Sequence, residues 1–160
     1  MSIKTIFTTK IELKKNKNLK NYLLAGDWCL KDEKYIKKTN VLSNIWESYN
    51  TISKHYRFLQ KIHKRMNKKV SNYLFTYHNK VITKKIWNNL LFVWLTYYLF
   101  FYYFKWKTVE KVFKKHKKLI FINYRNTKNI HYIDTLDFYD KSSNSDILNY
   151  QAFKKVILFK

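Results

Sequence analysis

The sequence predicts a helix-rich α/β fold in which long helices pack on a layer of short strands. Short β-branched and aromatic runs alternate with longer stretches in which apolar residues recur every three or four positions. This alternation is typical of a parallel or mixed sheet covered by helices. The length of 160 residues suffices for one hydrophobic core, and 46% hydrophobic and 19% aromatic residues exclude a disordered tail.

The N-terminal part predicts two strands separated by a stretch without a structural signal. Residues 3–8 are β-branched and aromatic, and the Lys- and Asn-rich segment Lys10–Asn21 favours no element. The apolar run Tyr22–Ala25 predicts a second strand, which ends at Gly26, the only glycine of the chain. A strand that ends at glycine is typical of a βα turn. Val41-Leu42 predicts another short strand.

The middle of the chain predicts long helices. Apolar residues from Ile52 to Tyr77 recur at steps of three and four, while lysines occupy the other faces. Lys84–Trp106 predicts a helix buried on all sides by protein, and Thr108–Lys117 a separate short basic helix. A membrane span is disfavoured because the apolar run Leu90–Phe104 covers about 22 Å, against the roughly 30 Å of a hydrocarbon core.

The C-terminal part predicts one clear strand and one clear helix. Leu119–Tyr124 is the strand, bounded by Arg125-Asn126, and His131–Leu136 is a weaker candidate strand. Ser142–Asp146 predicts a loop with an N-cap at its end, and Asp146–Leu158 the following helix.

The charge of the chain is strongly basic, with 33 Lys+Arg against 10 Asp+Glu and a formal net charge of +23. Nucleic acid or an anionic membrane is the first interpretation of such a balance. Only three of the basic residues are arginine, the side chain suited to bidentate phosphate and base recognition. Abundant Lys, Asn, Ile, Phe and Tyr without proline are typical of an AT-rich coding sequence, so nucleic acid is disfavoured as the main partner.

Two alternatives of a different class stay open. One is a basic nucleic-acid-binding protein that uses Lys54–Lys69 and Lys114–Lys118 on phosphates. The other is a lysine-rich peripheral membrane protein that associates weakly with an anionic surface through the lysines around its aromatic helix. The first fifteen residues contain no secretory apolar run, and Cys29 is the only cysteine. We therefore expect a cytoplasmic protein without a disulfide. Peripheral contact with the inner face of the membrane is compatible with this location.

Four segments of the chain together form a pattern of order and spacing: Phe7-Thr8-Thr9, Leu24-Ala25-Gly26-Asp27-Trp28-Cys29, Val41-Leu42 with Trp46, and His78 followed by Trp87, Leu90 and Trp94-Leu95. In this order and spacing they resemble a family of transferases found with surface-polysaccharide biosynthesis genes and described by that context. The resemblance runs through much of residues 6–106. It departs at Ser43 and Phe92-Val93, where the family has proline-containing turns.

The resemblance implies a glycosyltransferase-like enzyme with two Rossmann-like domains and a site in the cleft between them. Family members are several times longer, so the chain is expected to be the incomplete N-terminal domain, residues 1–160, with a partial Rossmann-like layer. Its main partner would be the missing C-terminal domain, and the fragment would be inactive alone. A nucleotide-sugar donor is expected for the full-length protein and no cofactor in this chain.

Candidate site residues are few. Gly26, Asp27 and Trp28 follow the carboxyl end of a strand, where ligands approach open α/β sheets, so Asp27 is a candidate acceptor for a sugar hydroxyl and Trp28 a stacking platform. The structural alternative, that Gly26 makes the turn while Trp28 packs in the core, is favoured. His78 is a weak candidate general base.

Other chemistry-bearing residues favour structural roles. Cys29 has no histidine near it in sequence, so a buried apolar role is favoured over a nucleophile. Asp134, Asp137 and Asp140 are spaced by three, which favours a capped turn over a metal site. The histidines show no metal-ligand spacing, and no metal is expected.

Overall fold

A computed structural model describes residues 3–16, 18–30, 40–116, 118–124 and 130–159 of the protein. The predicted helix-rich α/β class is confirmed, with three short parallel strands among long helices. The charged stretch 31–38 and the Arg125-Asn126 boundary lie outside the described residues. In chain order the elements are β1 (Lys4–Phe7), α1 (Lys10–Lys15), β2 (Tyr22–Leu24), a 3-10 turn (Asp27–Leu30), α2 (Tyr49–Tyr77), α3 (Lys84–Lys115), β3 (Leu119–Phe121), α4 (Thr135–Asn144) and α5 (Asp146–Phe159).

The chain divides into two compact units. The sheet unit comprises Met1–Ile45 and Phe104–Lys160, and the helix-pair unit comprises Trp46–Tyr103. Helix α3 contributes its first twenty residues to the helix-pair unit and the rest to the sheet unit.

The sheet unit is built on three parallel strands in the order β2-β1-β3. Ile6 of β1 pairs with Leu23 on one side and with Phe121 on the other. The central strand β1 is buried from Thr5 to Phe7, which agrees with its continuous β-branched and aromatic sequence. The predicted strand at Val41-Leu42 is reduced to an isolated parallel bridge between Val41 and Leu24.

Helix α1 lies in the segment Lys10–Asn21, for which the sequence predicted no element. Its local signal is a capping box, in which the side chain of Thr9 and that of Glu12 satisfy each other's backbone N–H groups. Thr9 followed three residues later by Glu12 is the usual sequence mark of such a start. The lysines and asparagines that follow obscured it.

Helix α3 corrects two predictions. It is one continuous helix to Lys115 and not two helices that meet near residue 107. No glycine or proline interrupts the junction, Thr108 and Val109 are buried there, and Lys107 Nζ lies 2.7 Å from the carboxylate of Glu110 one turn later. Nor is the helix buried on all sides, since Leu90 is 62% exposed.

The C-terminal region corrects two more predictions. Instead of a strand at 131–136, helix α4 starts at Thr135, because Asp134 caps it by accepting a hydrogen bond from Asp137 N at 2.8 Å. Instead of a loop over Ser142–Asp146, α4 continues to Asn144 and only Ser145 separates it from α5. Ser145 Oγ accepts a hydrogen bond from Leu148 N at 3.2 Å, so one residue suffices as the junction.

The helix-pair unit consists of α2 and the first part of α3. Helix α2 confirms the periodicity prediction, and Ser48 caps it by accepting from Thr51 N. Two polar contacts join the helices: Asn67 Nδ2 donates to Asn88 O at 3.1 Å, and His63 Nε2 lies 3.0 Å from Phe92 O. Among the residues described, no helix is long and apolar enough to cross a membrane.

Candidate functional site

The candidate site of the sheet unit lies at the carboxyl ends of β1 and β3, by analogy with other open α/β sheets. In open α/β sheets, ligands bind outside the carboxyl ends of the strands, at the point where the strand order changes direction. Here β2 lies on one side of β1 and β3 on the other, so this point falls between β1 and β3. We call the residues that follow these two strands the carboxyl edge: Thr8, Thr9 and Glu12 after β1, and Ile122 and Tyr124 after β3.

Glu12 is a fully buried carboxylate at this edge. Its Oε2 accepts hydrogen bonds from Thr8 N at 2.7 Å, Thr8 Oγ1 at 2.5 Å, Thr9 N at 2.9 Å and Thr9 Oγ1 at 3.2 Å. Burial raises the pKa of Glu12, and the hydrogen bonds from Thr8 and Thr9 oppose that rise. Its Oε1 is buried without a hydrogen-bond partner among the described residues. These hydrogen bonds tie the loop after β1 to the first turn of α1.

The β3 side of the edge is held by aromatic hydroxyl groups. Tyr150 Oη of α5 donates to Ile122 O at 3.0 Å and accepts from Tyr124 N at 2.9 Å. Asn16 Nδ2 donates to Tyr124 Oη at 2.6 Å, and Lys15 Nζ lies 4.9 Å from the centre of the Tyr124 ring. The end of α1 and the segment after β3 therefore meet at this edge, with a cation beside them.

The turn after β2 brings the predicted residue Trp28 to the same end of the sheet. Trp28 Nε1 donates to Thr8 O at 3.0 Å, and its ring lies 5.2 Å from Phe104 and 6.4 Å from Phe153. The ring also covers Gly26, where an added Cβ would lie 2.0 Å from a ring carbon. Gly26 is thus required by the closeness of this ring. These contacts agree with a packing role for Trp28, while Asp27 between them is exposed.

Lys105 is a buried lysine beside this tryptophan that the sequence analysis did not single out. It is 7% exposed, and its Nζ lies 5.1 Å from the ring centre of Phe104 and 5.0 Å from that of Phe153. Burial lowers its pKa to about 7. An amine near this pKa can exist uncharged at neutral pH and can accept a proton. Its place within an aromatic run, Phe104-Lys105-Trp106, was the available signal.

His78 lies in the other unit. It is the C-terminal cap residue of α2, is exposed, and stacks on Trp87 with ring centres 5.0 Å apart. Its role as a general base stays a prediction, as do the roles of Asp27 and Trp28 in binding.

Cys29 is buried with its Sγ 3.7 Å from Phe7 O. Burial raises the pKa of its thiol, which opposes the thiolate that a nucleophile needs. The cysteine packs in a core cluster with Phe7, Leu13 and Leu24.

The three spaced aspartates each have a protein partner. Asp134 caps α4, Asp137 Oδ2 accepts from Lys141 Nζ and Ile133 N at 2.8 Å each, and Asp140 Oδ1 accepts from Asn144 Nδ2 at 2.7 Å. In the described ranges, no group of three or more His, Cys, Asp or Glu residues is placed to hold a metal ion.

The three-stranded parallel sheet and the helices packed on it define a helix-rich α/β protein. The chain belongs to the LIC12162 family of transferases, whose family model matches residues 4–159. The predicted kinship with a transferase family is thereby confirmed, and the match extends beyond residue 106. No curated protein and no solved structure matches the chain.

We expect Glu12→Gln and Glu12→Ala to differ in their effect on stability. Alanine removes the acceptor of two buried N–H groups and should lower the free energy of unfolding by about 2–4 kcal/mol. Glutamine keeps an acceptor oxygen. The pKa of Glu12 is higher in the folded protein than in the unfolded chain, where it is near 4.5, so the folded state binds the proton more tightly. The parent should therefore lose stability relative to Glu12→Gln as the pH rises above 4.5.

Urea unfolding of the parent and both variants at several pH values between 4 and 7 measures these differences. Equal losses for glutamine and alanine would contradict the acceptor role, and a parent-to-glutamine difference independent of pH would contradict the raised pKa.

Proposed function

We propose that this transferase is glycosyltransferase-like, acts in cell-surface carbohydrate biosynthesis and binds a nucleotide-sugar donor at the carboxyl edge. The observation that carries the proposal is the strand order β2-β1-β3 of the parallel sheet. Flavodoxin-like doubly wound sheets have the order 2-1-3-4-5 and bind a nucleotide cofactor where the chain switches sides between β1 and β3. The sheet would then be a partial Rossmann-like layer.

The carboxyl edge offers the chemistry that a nucleoside diphosphate needs. The diphosphate is anionic and the base is aromatic. Lys15 supplies a positive charge beside Tyr124, whose ring offers an aromatic surface. Asp27, exposed in the turn after β2, is the candidate acceptor for a sugar hydroxyl.

The reaction proposed is transfer of a glycosyl group to an acceptor hydroxyl. The bond between the acceptor oxygen and the anomeric carbon forms, the bond from that carbon to the phosphate oxygen breaks, and a base takes the hydroxyl proton. His78 stays the predicted base, and because it lies in the helix-pair unit its role is not assigned to the carboxyl edge. A second Rossmann-like domain would close over the donor, and residues 1–160 would then form the incomplete N-terminal domain, inactive alone. The basic charge supports work at the inner face of a membrane.

Nuclear magnetic resonance of the labelled protein with a panel of nucleoside diphosphates and nucleotide sugars tests the donor site. We expect one donor to shift the amide signals of Thr8, Thr9 and Tyr124 more than those of residues 46–103. The variant Lys15→Glu should weaken that binding, with the neighbouring exposed lysine change Lys20→Glu as control. If no nucleoside diphosphate or nucleotide sugar of the panel shifts the amide signals of the carboxyl edge, the proposal is contradicted. Binding to duplex DNA that falls steeply with salt would favour the nucleic-acid alternative instead.

A further inference from the structure

The helix-pair unit carries a groove of about 790 Å³ between α2 and the first part of α3. All its lining residues belong to residues 46–103, every one of which the structure describes. The volume lies within the range of small-molecule sites, roughly 300–1,000 Å³. None of its lining residues belongs to the carboxyl edge, and none has a part in the proposed transfer reaction.

The groove exists because the two helices are joined by few buried side chains. Within residues 46–103 the only buried apolar residues are Leu59 and Leu95. The other buried residues there are polar. The side-chain amide of Asn67 donates a hydrogen bond to the carbonyl oxygen of Asn88. Phe92, which also lines the groove, is 55% exposed. An apolar surface of this kind favours an apolar occupant.

The two ends of the groove differ in chemistry. The lysines that line it are Lys84 near the turn that joins the helices, and Lys68 and Lys64 further along α2. Toward the other end it is lined by Tyr56, Leu99 and Phe100. From position 56 to position 64 helix α2 advances about 12 Å, which separates the apolar end from the nearest of these lysines.

The charge of the unit favours an anion at the polar end. Residues 46–103 contain ten Lys or Arg and one acidic residue, Glu47, which does not line the groove. The ammonium group of Lys84 lies 5.1 Å from the ring centre of Phe75 at that end. Lysine binds phosphate as a point charge. The positive charge is therefore not neutralised by any carboxylate of the groove itself.

We infer that this groove binds a lipid with one apolar chain and a phosphate head group, the phosphate at Lys68 and Lys84 and the chain along Leu99 and Phe100. A strand of nucleic acid would require cations along its whole length, whereas no lysine lines the part of the groove at Tyr56, Leu99 and Phe100. A peptide helix would bind through its apolar side chains and would not require the lysines. The separated polarity matches a single-chain lipid phosphate in both respects.

Dodecyl phosphate, kept below its micelle-forming concentration, is the probe for this site. We expect saturable binding by calorimetry and shifts of the Asn67 and Asn88 amide signals. Lys68→Glu and Lys84→Glu should each weaken binding by about tenfold, as loss of a charge-assisted contact does. The matched controls Lys69→Glu and Lys85→Glu carry the same charge change on the adjacent exposed residue outside the groove, and should weaken binding by less than about twofold.

A filling variant tests the apolar end. Leu99→Trp should weaken binding of dodecyl phosphate by about tenfold, while Val93→Trp on the exposed face of α3, outside the groove, should leave it unchanged. Circular dichroism of each variant shows whether the helices persist.

Three results would overturn the inference. They are equal weakening by groove and control lysine changes, equal affinity for dodecyl maltoside, whose head group is neutral, and binding to anionic vesicles without binding of dodecyl phosphate. Because the shifts expected here fall in residues 46–103 and those of a nucleotide sugar fall at the carboxyl edge, either proposal can fail without the other.

Discussion

Replacing Lys105 by methionine should stabilise the protein by about 3–5 kcal/mol at pH 6. The ammonium group of Lys105 is buried between aromatic rings, and the cost of removing it from water lowers its pKa from 10.5 to about 7. Methionine fills a similar volume without a charge. The two ring contacts at 5.0 and 5.1 Å offset part of the cost, so the lower end of the range is reached if they are strong.

The stabilisation should depend on pH in a defined direction. Below pH 7 Lys105 is charged in both the folded and the unfolded chain, so the full cost of burial is present. Between pH 7 and 10.5 the unfolded chain binds a proton that the folded chain does not, so the parent gains stability as pH rises. The advantage of Lys105→Met should therefore shrink across this window.

Urea unfolding at pH 6, 8 and 10 measures the effect on Lys105→Met. The control is Lys114→Met, an exposed lysine of the same helix, which should change the free energy of unfolding by less than about 0.5 kcal/mol at every pH. A destabilised Lys105→Met at pH 6 would show that the ring contacts outweigh burial. The pKa of Lys105 in the folded protein would then be raised above 10.5 and not lowered.

Periodic and compositional patterns predicted the elements whose signal lies within one continuous stretch of sequence. Helix α2 follows from an apolar residue every third or fourth position, and β1 and β3 follow from runs of β-branched and aromatic residues. The parallel pairing in the order β2-β1-β3 depends on contacts between residues more than a hundred positions apart, such as Ile6 with Phe121. A single sequence does not show them.

The missed elements were decided by capping and burial. Helices α1 and α4 are capped by Thr9 and Asp134, whose side chains accept hydrogen bonds from N–H groups of the first turn. Such a signal consists of one or two residues within a polar stretch. Continuation of α3 through residue 107 depends on burial of Thr108 and Val109 against the sheet unit's core. The many lysines around the capping residues made the capping signal hard to recognise. The hydropathy of the sequence does not show which residues are buried by the fold.

The candidate site could be predicted only in part. Gly26 was identified because it is the one glycine of the chain, and its neighbour Trp28 supplies the reason. Glu12 and Lys105 were missed because a charged residue in a basic or aromatic stretch is usually solvated, and its burial is a property of the fold. Their pKa shifts follow from that burial.

Gly26→Ala should destabilise the sheet unit by about 2–3 kcal/mol, although alanine suits the backbone there. Gly26 has no positive φ angle, so the change brings no conformational strain. The cost arises because the new Cβ would lie 2.0 to 2.4 Å from three carbons of the Trp28 ring. That ring cannot move freely, since Thr8 O holds its Nε1 at 3.0 Å and Phe104 and Phe153 lie beside it.

The same substitution should reverse its sign once the ring is removed. In a Trp28→Ala background, itself destabilised by about 3 kcal/mol, Gly26→Ala should raise the free energy of unfolding by about 0.5 kcal/mol, because alanine restricts the unfolded chain. The two changes should thus couple by about 2.5–3.5 kcal/mol, which is at the upper end for residues in direct contact. Urea unfolding of the parent, both single variants and the double variant measures this cycle. If Gly26→Ala costs the same in both backgrounds, the need for glycine lies in the backbone and Trp28 is not its cause.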